Sequence, residues 1–165
     1  MSIRGEKIYL RTVMKEDAPI ILDWENNPDF WEVTENEGPF SLDDIKYFIE
    51  NSNSLEDSGQ LRYMISTHSG RIIGAIDLFD FDPLSRSSGI GILIAKPEDR
   101  SKGFASDALL TLIRHSRSGH LLKQLHCIIY PSNIASIKLF SRCGFKHSGI
   151  STFKDKEVHR YSLQL

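Results

Sequence analysis

Arg100-Ser101-Lys102-Gly103-Phe104-Ala105 places two cations, a hydroxyl and a glycine just ahead of an apolar, helix-forming run. The start of a helix presents backbone N–H groups without intrahelical partners, together with a partial positive charge. The two make an anion site. Gly103 lets the backbone come close to a ligand, and Ala105 keeps the next turn small. Arg100 and Lys102 add charge for phosphate oxygens. The chemistry that fits is retention of a diphosphate, as in a nucleotide-like cofactor. The same residues also suit a solvated loop before an ordinary helix cap. No G-x-x-x-x-G-K-[ST] occurs, and "GIGILI" (89 to 94) does not continue to the third glycine of the dinucleotide fingerprint. Mononucleotide hydrolysis and hydride transfer therefore lose support.

The elements that must position this loop follow from pattern. "KIYLRTV" (7 to 13) reads as a strand. Asp17 is suited to cap the next helix, with Pro19 in its first turn and Ile20, Ile21 and Trp24 on one face. Ser41 and Asp44 have capping-box spacing ahead of the stripe Leu42, Ile45, Phe48 and Ile49. "NSNSLEDSGQ" (51 to 60) is polar enough for a surface loop. "RYMISTHSGRIIGAIDLFDF" gives two strands joined at His68-Ser69-Gly70, and "GIGILIAKP" a third that Pro97 ends. The helix after the opening loop carries Ala105, Leu109, Leu112 and Ile113 on one face. "QLHCIIY" (124 to 130) is a strand. "NIASIKLFSRCGF" is a helix with Asn133 as N-cap and Gly144 just past its end. Two strands close the chain, the second over "HRYSLQL". The crossover from 89 to 130 makes its two strands parallel neighbours. The class is α+β (mixed α/β).

With 165 residues, the chain suits one domain, 1–165, with a proper core. A net charge of -2 gives no global field favouring nucleic acid or an anionic membrane. A nucleic-acid-binding domain would also need a basic aromatic face, and none is evident. The start, MSIRGEKIYL, has no apolar run of signal-peptide length, and no stretch of about 18 apolar residues would span a bilayer. Cys127 and Cys143 form neither a disulfide framework nor a metal-type spacing, and the histidines show no metal spacing either. The expectation is a cytoplasmic protein with reduced thiols and no metal.

Arg100, Gly103 and Ala105, followed in order by Asn133, Ser136, Gly144 and Phe145, resemble the two cofactor motifs of the GNAT superfamily of acetyl-CoA-dependent N-acetyltransferases. The opening "IYLRTVMKEDAPIILDWENN" is similar to the branch of ribosomal-protein N-terminal and spermidine or diamine acetyltransferases. The resemblance implies a central twisted mixed sheet of about seven strands flanked by about four helices. It implies that "GILIA" (91 to 95) splays from "QLHCIIY" and that the pantetheine arm lies in the gap. Ile92, Leu93 and Ile94 then contact pantetheine, although as core strand residues they need no ligand. The N–H groups of Arg100, Ser101, Lys102, Gly103, Phe104 and Ala105 hold the diphosphate. Asn133 hydrogen-bonds the arm, beside or in place of plain capping, and Phe140 packs on it. A homodimer is common in such proteins.

Acetyl transfer to an amine needs a neutral amine, since an alkylammonium of pKa near 10.4 is almost wholly protonated at pH 7. It also needs an oxyanion donor and a proton for the leaving thiolate. A strand N–H near Leu93 or Ile94 is placed to polarise the carbonyl. Many family members supply the acid from a tyrosine where this chain has Phe140, and a phenyl ring gives no proton. Ser136 is the replacement candidate and Tyr130 the second; Ser136 equally suits a helix cap. For the base, Asp77 aligns with an acidic position of the polyamine branch, and alternation sets it on the face opposite Asp80 and Asp82 if the strand is regular. Asp82, before Pro83, reads as a solvated strand end. Trp24, Trp31, Glu32 and Asp80 are the acceptor candidates, because acids beside aromatics attract a cationic amine. Trp24 also reads as core, and the acids as a wet rim. The acceptor is a protein N-terminus, a polyamine or another small amine. A non-catalytic acyl-CoA-binding or sensing module is the alternative that Phe140 keeps open.

Overall fold

The computed structural model describes residues 2–30 and 38–165. Its strands are β1 (Ser2–Arg4), β2 (Ile8–Thr12), β3 (Leu61–Thr67), β4 (Ile72–Asp82), β5 (Ser87–Ile94), β6 (Gln124–Ile129), β7 (Lys146–Phe153) and β8 (Lys156–Gln164). Its helices are α1 (Ala18–Glu25), α2 (Leu42–Asn51), α3 (Leu55–Ser58), α4 (Phe104–Ser118) and α5 (Ile134–Arg142). Among the described residues the strands form one sheet in the order β1-β2-β3-β4-β5-β6-β8-β7. Among the described residues only β5 and β6 pair in parallel, with α4 crossing between them. Among the described residues no helix is long and apolar enough to cross a membrane.

The expected α+β class holds, with eight strands and five helices among the described residues in place of about seven and four. β1 is too short to leave a periodic signal. α3 falls in the segment expected to be a loop: Ser54 caps it, Leu55 is 3% exposed, and Gly59 ends it in the left-handed region at φ 76°. One buried aliphatic side chain is enough to fold a polar segment onto a sheet. The box at Ser41 forms as read, with the Asp44 N–H donating to Ser41 Oγ at 3.1 Å and the Ser41 N–H to Asp44 Oδ2 at 2.8 Å. Asp17 stands at the N-cap of α1, as read, but its side chain makes no cap bond to the helix. Arg11 donates to both of its oxygens at 2.8 Å, and the Met14 N–H donates to Oδ2.

Two cores flank the sheet. One face packs Leu10, Ile65, Ile76 and Ile90 against Leu109 and Leu112 of α4 and Phe140 of α5. The other packs Met64 and Ala75 beneath Ile21 and Trp24 of α1 and Ile45 of α2, with Leu93 at its margin. Because residues alternate along β5, Ile90, Ile92 and Ile94 serve the first core, and Gly89, Gly91 and Leu93 lie on the α1/α2 face.

Candidate active site

β5 pairs with β4 at Asp82↔Ser87 and, past a bulge, from Phe79↔Gly89 to Gly74↔Ile94, yet with β6 only from Ser87↔Gln124 to Gly89↔His126. Beyond Gly89 the parallel strands separate. The Ala95 N–H donates to the Ile73 carbonyl at 3.0 Å, which sets the alternation of the ladder. It turns the backbone groups of Leu93 and Gly91 toward β4, and those of Ile90, Ile92 and Ile94 toward the gap. Of the two N–H groups expected to polarise a carbonyl, Ile94 therefore faces the gap and Leu93 does not. Gly74 is required here, because a methyl group on it would collide with the Leu93 carbonyl oxygen.

Beyond β5, a 3-10 turn over Pro97–Asp99 leads into the cation-rich loop. Asp99, buried at the end of the turn, accepts both Arg71 Nη groups at 2.9 Å. The Arg100 N–H donates to the Pro97 carbonyl at 3.1 Å, so it is not available for a diphosphate as expected. The Arg100 side chain instead braces β5, its Nε donating to the Ile94 carbonyl at 3.2 Å. From Ser101 to Ser106 no N–H has an acceptor among the described residues, and the first return bond of α4 runs from Asp107 N–H to the Gly103 carbonyl. Gly103 stands as N-cap at φ 84° with no side-chain cap, and Ser101 shares the left-handed region at φ 59°. A row of free donors at a helix start, next to a free strand edge, fits a diphosphate followed by an extended amide-bearing arm.

The loop holds a cation the sequence pattern missed. Lys7 Nζ donates to the Lys102 carbonyl at 2.9 Å and lies beside Gly103. Asp107, in the first turn of α4, delivers it. Its carboxylate accepts the N–H groups of Glu6 at 3.1 Å, Lys7 at 2.7 Å and Ile8 at 3.1 Å.

On the far side of the gap, Asn133 Oδ1 accepts the Ser136 N–H at 3.2 Å, as a cap should. Ser136 is half-buried, and its hydroxyl has no partner among the described residues. Tyr130, 5% exposed at the end of β6, has Lys156 Nζ 5.8 Å from its ring centre. Phe140 sits in the core, edge-to-face with Phe145 at 5.1 Å.

The acceptor face differs more from expectation. Trp24 is a core residue, 8% exposed, in keeping with the core reading. Trp31 and Glu32 lie outside the described residues. Asp77 is bound on both oxygens by Arg62, with Nε to Oδ1 at 2.8 Å and Nη2 to Oδ2 at 2.7 Å. Arg62 Nη1 also reaches Glu25 Oε1 at 2.9 Å, and its guanidinium lies 5.1 Å from the Phe48 ring centre. Burial works against the Arg62 charge, but Asp77 and Glu25 outweigh it and raise the guanidinium pKa. Arg62 is thus shared by two carboxylates. The alternation assumed for the acids fails at a bulge between Phe79 and Asp82, where Asp80 adopts φ 48° and is exposed. Asp82 ends the strand as read, accepting the Leu84 N–H and the Ser85 hydroxyl, each at 2.9 Å. Among the described residues no group of His, Cys, Asp and Glu is arranged to hold a metal ion.

The sequence model described as "Acetyltransferase (GNAT) domain" matches residues 7–146. Spermidine N(1)-acetyltransferase of Vibrio cholerae is 23% identical over 145 residues, covering 88% of this chain and 82% of that protein. The crystal structure of spermidine N-acetyltransferase from Vibrio cholerae in complex with CoA and spermine superposes with a TM-score of 0.85 at 22% identity, over 97% of this chain and 96% of the other. A dodecameric structure of the Vibrio cholerae enzyme gives 0.79 at 22% identity, over 97% and 95% of the two chains.

Proposed function

The chain belongs to the GNAT acetyltransferase family, and on that premise we propose that it moves an acetyl group from acetyl-CoA to a primary amine of a small polycation. Acetyl-CoA supplies the thioester; the residues of this chain bind, orient and manage protons. The observation that carries the acceptor class is the pair of carboxylates, Asp77 and Glu25, that meet at Arg62 beside β5, where Asp77 pairs with Gly91. The relative that acts on spermidine by name points the same way.

In this reading the free N–H groups of Ser101, Lys102, Gly103, Phe104 and Ala105 hold the diphosphate, with Lys7 as an added cation. The open edge of Ile92 and Ile94 pairs with the pantetheine arm, and the Ile94 N–H polarises the thioester carbonyl. Asn133 offers its amide nitrogen to the same arm while its oxygen caps α5. Ser136 relays the proton to the departing sulfur, with Tyr130 as the second candidate. Asp77, committed to Arg62, acts as fixed charge, and Asp80 adds another carboxylate at the rim. The buried free thiols Cys127 and Cys143 support a cytoplasmic setting. Self-association belongs to the proposal on the strength of the dodecameric neighbour.

The test is release of CoA thiol from acetyl-CoA across spermidine, spermine, putrescine, lysine and a panel of N-terminal peptides. Thiol release that depends on a polyamine supports the proposal. Release with the peptides alone moves the acceptor to a protein N-terminus. Binding of acetyl-CoA with no release under any acceptor returns the chain to the sensing alternative.

A further inference from the structure

An ammonium acceptor must lose a proton before it attacks, and the acids singled out in the sequence are poorly placed to take it. Asp77 has both oxygens on Arg62, and Asp80 projects from an exposed bulge. His126 is placed differently. It pairs with Gly89, the last contact before β5 and β6 separate. Its neighbours Leu125, Cys127 and Ile129 enter the α4/α5 core, so its ring lies on the other face, the one where acceptor must approach. Phe79 continues the same row across β4, its ring lying over Gly89 and against Gly91. With glycine at both positions, β5 puts no side chain of its own between that row and the gap. The thioester end of an arm laid along the open edge of Ile94 and Ile92 arrives at this fork.

Resting on the acetyltransferase reading, we infer that His126 is the base that takes the proton from the acceptor's ammonium group at the fork of the two strands. The neutral imidazole accepts that proton and becomes imidazolium. The freed amine forms the C–N bond to the acetyl carbon, and the C–S bond breaks with its electron pair on sulfur. The second N–H proton of the amine goes to the thiolate, and the imidazolium returns its proton to solvent. Among the described residues no group hydrogen-bonds the His126 ring, so both nitrogens are free for the task. Burial first, then Arg160 from β8, push its pKa below the usual value, while Asp80 from β4 pulls it up and is outweighed. Burial and the Arg160 cation together favour the neutral ring.

The experiment uses the full chain, with H126Q and H126N as two variants that keep a polar side chain. Thiol release with spermidine is followed from mildly acid to mildly alkaline pH. The expected loss in kcat/KM is on the order of 10²-fold, with acetyl-CoA affinity by calorimetry and melting temperature unchanged. The position of the acid limb is the sharper readout. Removing the Arg160 cation (R160Q) moves it to higher pH, and D80N moves it to lower pH. The His126 imidazole, titrated by NMR in protein without acetyl-CoA, shifts in the same two directions. Both His126 variants retaining activity within about threefold of the parent, with the limb in place, overturns the inference and leaves the acetyltransferase reading standing. A parent chain that releases no thiol with any acceptor overturns both.

Discussion

Asp107→Asn tests how the loop ahead of α4 is held. Asp107 Oδ2 accepts the Lys7 and Ile8 N–H groups at 2.7 and 3.1 Å, and Oδ1 accepts that of Glu6 at 3.1 Å. An asparagine keeps one oxygen, which will turn to the Lys7 and Ile8 pair, and sets its NH₂ against the Glu6 N–H. Two charge-assisted bonds become neutral, each losing about 1 kcal/mol, and an exposed third is exchanged for water at less than about 1 kcal/mol. The lost charge in the first turn of α4 adds about 0.3–1 kcal/mol. The expected total is about 2–4 kcal/mol, which for a chain of this size lowers the melting temperature by roughly 5–15 °C. Calorimetry in the absence of ligand measures it. Because the same bonds present Lys7 to the Lys102 carbonyl, acetyl-CoA affinity should fall as well, and more at low salt than at high. A melting temperature within about 1 °C of the parent would refute the claim that this carboxylate ties the β1–β2 turn to α4.

Ser136→Ala should cut turnover on the order of 10²-fold at unchanged acetyl-CoA affinity, seen in parallel kinetics and calorimetry, and full activity in the variant removes Ser136 from the proton path. Arg62→Met leaves Glu25 and Asp77 without their cation; since both carboxylates are about a third exposed (27% and 32%), the destabilisation in urea should be near the low end for a broken buried pair, about 2–3 kcal/mol. Burial raises the Asp17 carboxyl, but hydrogen bonds from Arg11 and the Met14 amide more than reverse this and hold its pKa below the ordinary carboxylate value. Its contribution to stability is thus complete above that value and lost as pH falls through the lowered one. Arg11→Gln should therefore begin to unfold at higher pH than the parent in an acid titration followed by circular dichroism.

What the sequence disclosed and what it hid divide along contact distance. The loop at Gly103 and the cap at Asn133 were readable because every atom they need lies within a few consecutive residues. The Ser41–Asp44 box was readable for the same reason. Lys7 was invisible because Asp107, which positions it, stands 100 residues away. Arg62 and Asp77 meet only through the register of β3 and β4, and no local pattern states a register. The bulge at Asp80 broke the alternation on which the facing of the acids depended. His126 owes its interest to where strand pairing stops, which is a property of two strands and of neither alone. Trp24 follows the core reading the sequence also allowed, its ring packed in the core under α1.

The fork between β5 and β6 means that the native sheet is complete only when something else occupies it. In the free chain the gap-facing backbone groups of Ile92 have no strand partner, since the pairing of β5 with β6 stops at Gly89↔His126. A ligand that lies there adds the missing ladder and binds only the folded chain. By mass action, acetyl-CoA at about 100 times its dissociation constant would stabilise the protein by about 2.7 kcal/mol. Abundance of the folded enzyme in a cell would then follow the supply of its cosubstrate, so that the acetyl donor sets how much catalyst survives as well as how fast it works.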